Sequence, residues 1–382
     1  MSKNSTKTIA ILSVSAGAGH VRAAEALKAA VENDYPGFRA VHVDVMDMVP
    51  KLFRKMYAES YLDIVNRHPV LWEFLYAKTD RVDHDSRLKK LRVAIERLNT
   101  KKLNKTLDEL NPDTIICTHF LPAELFSRMI GRGDTDLDCW VQVTDFDVHS
   151  LWIHHHMTGY FAANPEVMWR MADRGIERER ITVSGIPIMP AFSQPLSREE
   201  CAQELGLDPE KLTLLMMSGG EGVGRLDVLA ERVLGLEGDF QVVALAGKNQ
   251  RMLEELNRVA EAHPGRLFPQ GFTRTVERVM AACDVAVSKP GGLTTSECLA
   301  MGLPMVVISP IPGQEERNAD YLLESGAGMK ACDAAALAYR VDHLIRHPEK
   351  ISTMRKQALA IATPGAANTV LDKVIEKLTE KE

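Results

Sequence analysis

The sequence predicts an α/β protein made of two parallel-sheet halves. Short apolar strands alternate with helix-periodic stretches almost throughout. Glycine-rich turns follow several of those strands. One proline-dense stretch divides the chain into two runs, each opening on strand, glycine loop and helix. With 382 residues the chain is long enough for two domains, each with its own core.

The elements follow in order. "TIAILSVS" (Thr8–Ser15) reads as a strand, "GAGH" (Gly17–His20) as its turn, "VRAAEALKAAVEN" (Val21–Asn33) as a helix and "RAVHVDVMD" (Arg39–Asp47) as the next strand. A long helical region is expected from Val49 to about Leu110, followed by the strands "DTIICTHF" and "DCWVQVTDF". Pro187, Pro190 and Pro195 crowd into "SGIPIMPAFSQPLSREE" (Ser184–Glu200), which reads as a linker. The pattern then restarts with "TLLMMS", the loop "GGEGVG" and the helix "RLDVLAERVLG", followed by the strand "FQVVALAG". Further on, "ACDVAVS" (Ala282–Ser288) is a short buried strand. "TTSECLAM" (Thr294–Met301) is a helix stopped by Gly302 and Pro304. Both halves are Rossmann-type, and every glycine loop falls at the carboxyl end of a strand, where such sheets bind ligands.

Composition narrows the function. Hydrophobic residues at 45% and charged residues at 26% suit a folded soluble chain, and no stretch approaches the ~18 apolar residues of a membrane span. The apolar part of the N-terminal stretch is too short for a signal peptide. Six scattered cysteines without a CxxC pair point to a reduced, cytoplasmic setting. A net charge of −6 argues against nucleic acid as a partner. The charge is uneven, however. Lys51–Lys105 holds 14 Lys+Arg against 7 Asp+Glu, or +7, leaving −13 for the remainder. Aromatic residues such as Phe53, Tyr57, Tyr61 and Trp72 are interleaved with Lys51, Arg54, Lys55 and Arg67. That mixture suits an anionic membrane surface, and equally suits ordinary amphipathic helices packed on a sheet.

"SKPGGLTTSE" (Ser288–Glu297) is the most informative local stretch. Gly291 and Gly292 let bare backbone approach a ligand at a helix N-terminus, where unpaired N–H groups favour a phosphate. Glu297 adds an acceptor for paired hydroxyls, as on a ribose. A tight turn with a dipole-favoured glutamate has the same local pattern. "SGGEGVG" (Ser218–Gly224) is a second anion nest. An NAD fingerprint would need an acidic residue at the end of the next strand, where "FQVVALAG" has Ala and Gly. No GK[ST] follows to make a Walker A loop. His154, His155 and His156, with His149 nearby, suggest a metal at first sight, but three consecutive side chains point in different directions, so no metal site is expected.

Ser288–Gly328 ("SKPGGLTTSECLAMGLPMVVISPIPGQEERNADYLLESGAG") resembles the donor-site signature of the monogalactosyl- and monoglucosyldiacylglycerol synthases, relatives of MurG. "SAGAGHVRAAEAL" (Ser15–Leu27) resembles their N-terminal loop with its histidine. "VTDFDVHSLW" and "YFAANPEVMWRMADRGIERERITVSGIPIMPAF" resemble the end of their first domain. The resemblance runs from about Thr8 to Gly328 with the motifs in order.

It implies a GT-B fold: two Rossmann-like domains facing across a cleft. Residues 1–190 would take the acceptor and the membrane, 191–363 the UDP-sugar, and a helix at 364–382 would cross back to the first domain. It implies a hexose moved with inversion from a UDP-sugar to a lipid, most simply diacylglycerol, without metal or cofactor, by a cytoplasmic protein docked on the inner face of the cell membrane. For the donor it implies Ser218, Gly219, Gly220, Lys248, Phe272, Gly291, Gly292, Thr294, Thr295, Glu297, Gln314, Glu315 and Asn318. Gln314 and Glu315 would read sugar hydroxyls, and Phe272 would lie near the uracil. His20 is the implied base, with Asp145 orienting it or sharing the task. Gly17, Gly19, His149 and Trp152 would complete the acceptor and diphosphate loop. Asp145-Phe146-Asp147 imitates the metal-binding DxD of the other large glycosyltransferase fold and is read as coincidence. Two rival readings keep the donor site: a UDP-sugar 2-epimerase-like isomerase, and a catalytically silent UDP-sugar-binding protein.

Overall fold

The structure is a computed structural model. It describes residues 6–15, 17–49, 100–217 and 225–380. The chain forms two compact units: Met1–Pro190 with Pro312–Gln314 and Pro364–Glu382, and Ala191–Ile311 with Glu315–Thr363.

The first unit is built on a six-stranded sheet of β1 (Lys7–Ser13), β2 (Phe38–Asp44), β3 (Thr114–Cys117), β4 (Asp138–Gln142), β5 (Gly159–Ala162) and β6 (Ile181–Val183). The spatial order is β2-β1-β3-β4-β5-β6, and every pairing is parallel. Strands of this kind are covered on both faces, so they read as apolar runs rather than alternating ones. In β1, every residue from Thr8 to Ser13 is buried. The helices are α1 (Ala18–Asp34), α2 (Thr100–Leu110), α3 (Phe120–Arg132) and α4 (Pro165–Asp173). Of the helical region expected from Val49 to Leu110, only α2 lies within the described residues.

Several boundaries differ from the sequence reading, for local reasons. β2 stops at Asp44 because the Asp44 carboxylate accepts the Met46 N–H at 2.9 Å and turns the chain into a short 3₁₀ helix, Val45–Met48. α1 begins at Ala18, three residues early. Gly17 takes φ +105° at its N-cap, a conformation that favours glycine, and His20 therefore sits inside the first turn rather than opening it. "DCWVQVTDF" gives only the five residues of β4 as strand.

The second sheet has the order β12-β11-β10-β7-β8-β9 and is also parallel throughout. Its strands are β7 (Leu212–Met217), β8 (Phe240–Leu245), β9 (Leu267–Gln270), β10 (Val285–Ser288), β11 (Met305–Ile308) and β12 (Gly328–Ala331). Renumbered from one, this is the dinucleotide-type order 3-2-1-4-5-6. Pro269 is accommodated because β9 is an edge strand. The helices are α5 (Arg198–Glu204), α6 (Leu226–Leu234), α7 (Gln250–Ala262), α8 (Val276–Ala281), α9 (Gly292–Ala300), α10 (Gln314–Glu324), α11 (Ala334–Arg346) and α12 (Pro348–Ile361). Leu214, Met216, Val242, Val285 and Val306 of the sheet pack with Leu226, Val233, Leu337 and Val341 in one buried cluster. Asp284, just before β10, accepts two hydrogen bonds from the Arg198 guanidinium, at 2.6 and 2.8 Å, and one from the Thr213 N–H at 2.9 Å. That bidentate pair ties α5 to the sheet.

The last helix, α13 (Ala366–Thr379), belongs to the first unit. Ala367, Val370, Leu371, Val374 and Leu378 recur at helical spacing and pack among Ile9, Ile11, Ala24, Leu27 and Val31. The Lys7 ammonium donates to the Leu378 carbonyl at 3.1 Å and the Tyr35 hydroxyl to Asp372 at 2.8 Å.

Candidate active site

In the first sheet the chain leaves β1 in one direction to reach β2 and leaves β3 in the other to reach β4. The crevice outside the carboxyl ends of β1 and β3 is therefore a topological switch point, the usual ligand position in open α/β sheets. His20, on the first turn of α1, lies there. Its Nδ1 is 3.0 Å from the Thr118 carbonyl and 2.9 Å from the Thr144 hydroxyl. A carbonyl can only accept, so Nδ1 carries the hydrogen and Nε2 keeps a lone pair. The Thr118 hydroxyl in turn donates to the His20 carbonyl at 2.9 Å, so the end of β3 and the first turn of α1 hold each other.

Burial pushes the His20 pKa down to about 4, against a smaller upward pull from the Thr118 carbonyl. The ring is neutral at pH 7, and the N-terminal end of the helix favours the same state. Its neighbours are aromatic: the His119 ring at 4.5 Å, edge-on at 82°, and the Trp152 ring at 6.1 Å. Phe120 lies 5.9 Å from Trp152. Trp152 is buried and ends a 3₁₀ turn (Ser150–Trp152) capped by His149, whose Nδ1 accepts the Leu151 N–H at 3.1 Å. Asp145 follows Thr144 directly. Asp147 accepts the Val148 N–H at 2.8 Å and faces Arg170 at 3.5 Å. Gly17 and Gly19 flank the start of α1.

The second sheet has its own switch point, between β7 and β10. Ser218, Gly219 and Gly220, which follow β7 in the sequence, lie outside the described residues. The loop after β10 leads into α9, which begins two residues earlier than expected. Gly291 is its N-cap, without a side-chain cap, and Gly292 is its first helical residue, buried. The first-turn N–H groups and the helix dipole thus stay available to an anion. Thr294 is half-buried. Thr295 is fully buried (0% exposed), and its hydroxyl has no protein partner among the described residues. Glu297 is buried one turn further on.

Gln314 and Glu315 open α10, and Asn318 follows a turn later, fully buried. "PGQEERNAD" is thus a turn at Pro312–Gly313 that leads straight into a helix. A Cβ on Gly291 would lie 3.9 Å from Glu315 Oε1, so the starts of α9 and α10 meet. The other Glu315 oxygen accepts the Ile311 N–H at 2.7 Å. Ser309, at the exit of β11, takes a left-handed φ of 43°, strain of a kind that gathers at ligand sites. Phe272, beyond β9, is 57% exposed and so is not a core residue; the Lys248 ammonium sits 5.7 Å from its ring centre.

Sequence reasoning missed Thr118, Thr144 and His119. They are 98, 124 and 99 residues from His20, and nothing in "THF" or "VTD" marks them. The histidine run has a different use. His154 is buried, its Nδ1 donating to Glu124 at 2.9 Å, with Arg128 on the same carboxylate. Among the described residues no group of three His, Cys, Asp or Glu is placed to hold a metal ion.

Two parallel six-stranded sheets, each with a ligand position at its switch point, define the GT-B class. Solved structures with this fold include MurG from Acinetobacter baumannii, at TM-score 0.61 and 15% identity, covering 97% of this chain and 99% of that one. Another is the UDP-GlcNAc 2-epimerase of Neisseria meningitidis bound to UDP-GlcNAc, at TM-score 0.60 and 13% identity, covering 97% and 100%. The family model for monogalactosyldiacylglycerol (MGDG) synthase matches residues 20–188, and that for the glycosyltransferase family 28 C-terminal domain matches residues 217–370. With one such model on each half, the chain is a glycosyltransferase of the GT-B class. Among its relatives are the processive diacylglycerol beta-glucosyltransferases of Bacillus pumilus, 26% identical over 98% of this chain and 96% of that one, and of Bacillus subtilis, 25% identical over 99% and 98%.

Proposed function

We propose that the protein moves a hexose from a UDP-sugar to the free hydroxyl of diacylglycerol, with inversion, giving a monoglycosyldiacylglycerol. The observation that carries the reading is His20: a neutral imidazole at a switch point, its Nδ1–H held by Thr118 and its Nε2 lone pair left to accept a proton. The acceptor oxygen attacks the anomeric carbon while its proton passes to Nε2. The bond from that carbon to the diphosphate oxygen breaks, and the electron pair leaves with UDP. The start of α9 supports the leaving diphosphate through backbone N–H groups and the helix dipole, which need no reorganisation as charge develops. Glu297 accepts from the ribose hydroxyls, and Gln314, Glu315 and Asn318 read the sugar.

The test is product identification. Wild-type protein with diacylglycerol micelles and a panel of labelled UDP-sugars should yield a β-linked monoglycosyldiacylglycerol. Label that remains in an epimerised UDP-sugar, with no lipid product, would overturn the reading.

The lipid acceptor also requires docking on a membrane. No helix among the described residues is long and apolar enough to cross one. We assign docking on anionic lipid to the basic, aromatic-bearing stretch Lys51–Lys105, most of which lies outside the described residues. A basic residue near such a surface contributes about 1 kcal/mol, screened by salt. Reversing Lys51, Arg54 and Lys55 to Glu should release the protein from phosphatidylserine-containing liposomes in sedimentation. Equal co-sedimentation of wild type and variant would remove this assignment.

A further inference from the structure

His119 is buried beside His20 and has no role in the proton transfer to that ring. Its Nδ1 accepts the Leu121 N–H at 3.0 Å, which makes it the N-cap of α3. An imidazole nitrogen that accepts from a backbone amide carries no hydrogen, so in the neutral ring the hydrogen is on Nε2. His20 is the reverse case. Its Nδ1 donates to the Thr118 carbonyl, and its Nε2 is the bare one. Two neutral imidazoles therefore stand edge to face, ring centres 4.5 Å apart, in opposite tautomers. Each is locked by backbone: one by a carbonyl at the end of β3, the other by an amide in the first turn of α3. Neither Nε2 has a protein partner among the described residues. Burial and the neighbouring His20 both hold the His119 pKa well below the ordinary histidine value, so neither ring charges near neutrality.

We propose that His119 is a second residue of the transfer site, whose Nε2–H donates to the acceptor hydroxyl oxygen while the hydroxyl proton points at His20 Nε2. The inference rests on the reading of His20 as base. A hydroxyl both donates and accepts, so a bare nitrogen beside an N–H fixes its direction as neither alone would. In the reaction His119 keeps its proton. The hydroxyl oxygen forms the bond to the anomeric carbon, its proton goes to His20, and the leaving electron pair goes to UDP. His119 is thus a donor that selects the reactive orientation, an effect worth about 10²-fold when lost. Trp152, 6.3 Å from His119 and 6.1 Å from His20, closes one side of the pair.

The experiment separates this role from capping. Asparagine is a good N-cap, but its side chain ends short of the imidazole Nε2 position. His119→Asn should therefore keep the wild-type Tm while kcat/KM for diacylglycerol falls about 10²-fold and KM for the UDP-sugar stays within twofold. His119→Ala should lose both Tm and activity. A residue that only caps α3 would be rescued by Asn in both measurements, and wild-type turnover in His119→Asn overturns the proposal. Loss of turnover in His20→Ala alongside that result would leave the base reading standing. Nitrogen-15 spectra of histidine-labelled protein at pH 7 decide the same question without any lipid. His20 should show hydrogen on Nδ1 and His119 on Nε2; the same tautomer in both rings overturns the proposal, even should no lipid be glycosylated.

Discussion

The two switch points rest on similar parallel sheets but present different chemistry. In the first unit the groups offered are side chains: a half-buried His20 and a buried His119 beside Trp152 and Phe120, held by threonine and backbone contacts from just beyond β3 and β4. In the second they are mostly main chain: the uncapped first turn of α9 behind Gly291, with Thr295 and Glu297 behind it and Glu315 close by. On the proposed reading, the difference teaches how one scaffold divides a transfer reaction. Proton transfer needs a group whose pKa burial can tune, and only a side chain supplies one. Support of a diphosphate needs fixed N–H dipoles that never titrate, and a helix start supplies them without side chains.

The sharpest way to break the comparison is to remove the titrating group. His20→Ala should lower kcat by about 10²–10⁴-fold and leave KM for the UDP-sugar nearly unchanged, since a general base acts in the transition state. The wild-type profile should agree in pH. With the His20 pKa at about 4, the base is free at neutrality, and kcat/KM should be flat down to about pH 5 and fall as pH drops through 4. UDP affinity, measured by calorimetry over the same range, should lack that limb. An acid limb centred near the ordinary histidine value would mean a solvated ring.

A stability effect of similar size should stay within the first unit. Leu371 is fully buried where α13 meets α1 and β1. Leu371→Ala should cost about 2–5 kcal/mol of the first unit's unfolding free energy. In denaturant, intrinsic fluorescence of Trp140 and Trp152 should shift to a lower midpoint, while amide exchange in β7, β8 and β10 stays protected. Equal loss in both units would mean that they unfold as one.

Smaller effects fall on the second site. Glu297→Ala should weaken UDP binding by about 1.5–3 kcal/mol, the range for hydrogen bonds to a charged group, with kcat nearly unchanged at saturation. Unchanged UDP affinity would remove Glu297 from the ribose. The smallest and most pointed test is Thr295→Val. A buried hydroxyl without a protein partner is a burden to the free protein, and removing it should raise the Tm slightly, by about 1 kcal/mol of stability. If that hydroxyl meets the diphosphate, the same change should weaken UDP by a similar amount. A Tm that falls would place a partner on Thr295 in the free protein.

Much of this architecture is legible in the chain. The glycine pair after "ACDVAVS", the strand alternation and the helical spacing of Val370, Leu371, Val374 and Leu378 are short-range patterns with direct physical meaning. The helix starts were misplaced by two or three residues at α1 and α9. In both, glycine was read as turn, although a glycine can cap a helix or lie in its first turn. Phe272 and Trp152 could not be told apart in the sequence, yet one is 57% exposed and the other 4%.

The sequence alone determined the α/β class, the two glycine-loop halves and Glu297 as a residue worth testing, because periodicity and turn chemistry act over a few residues; its resemblance to a known family added His20. Tertiary structure alone decided the state of the groups. Thr118 sets the His20 tautomer from 98 residues away, Thr144 adds its hydroxyl from 124 residues away, and dense surroundings carry the ring pKa to about 4. Desolvation and hydrogen-bond direction depend on which atoms meet, and strand order brings those atoms together from distant parts of the chain.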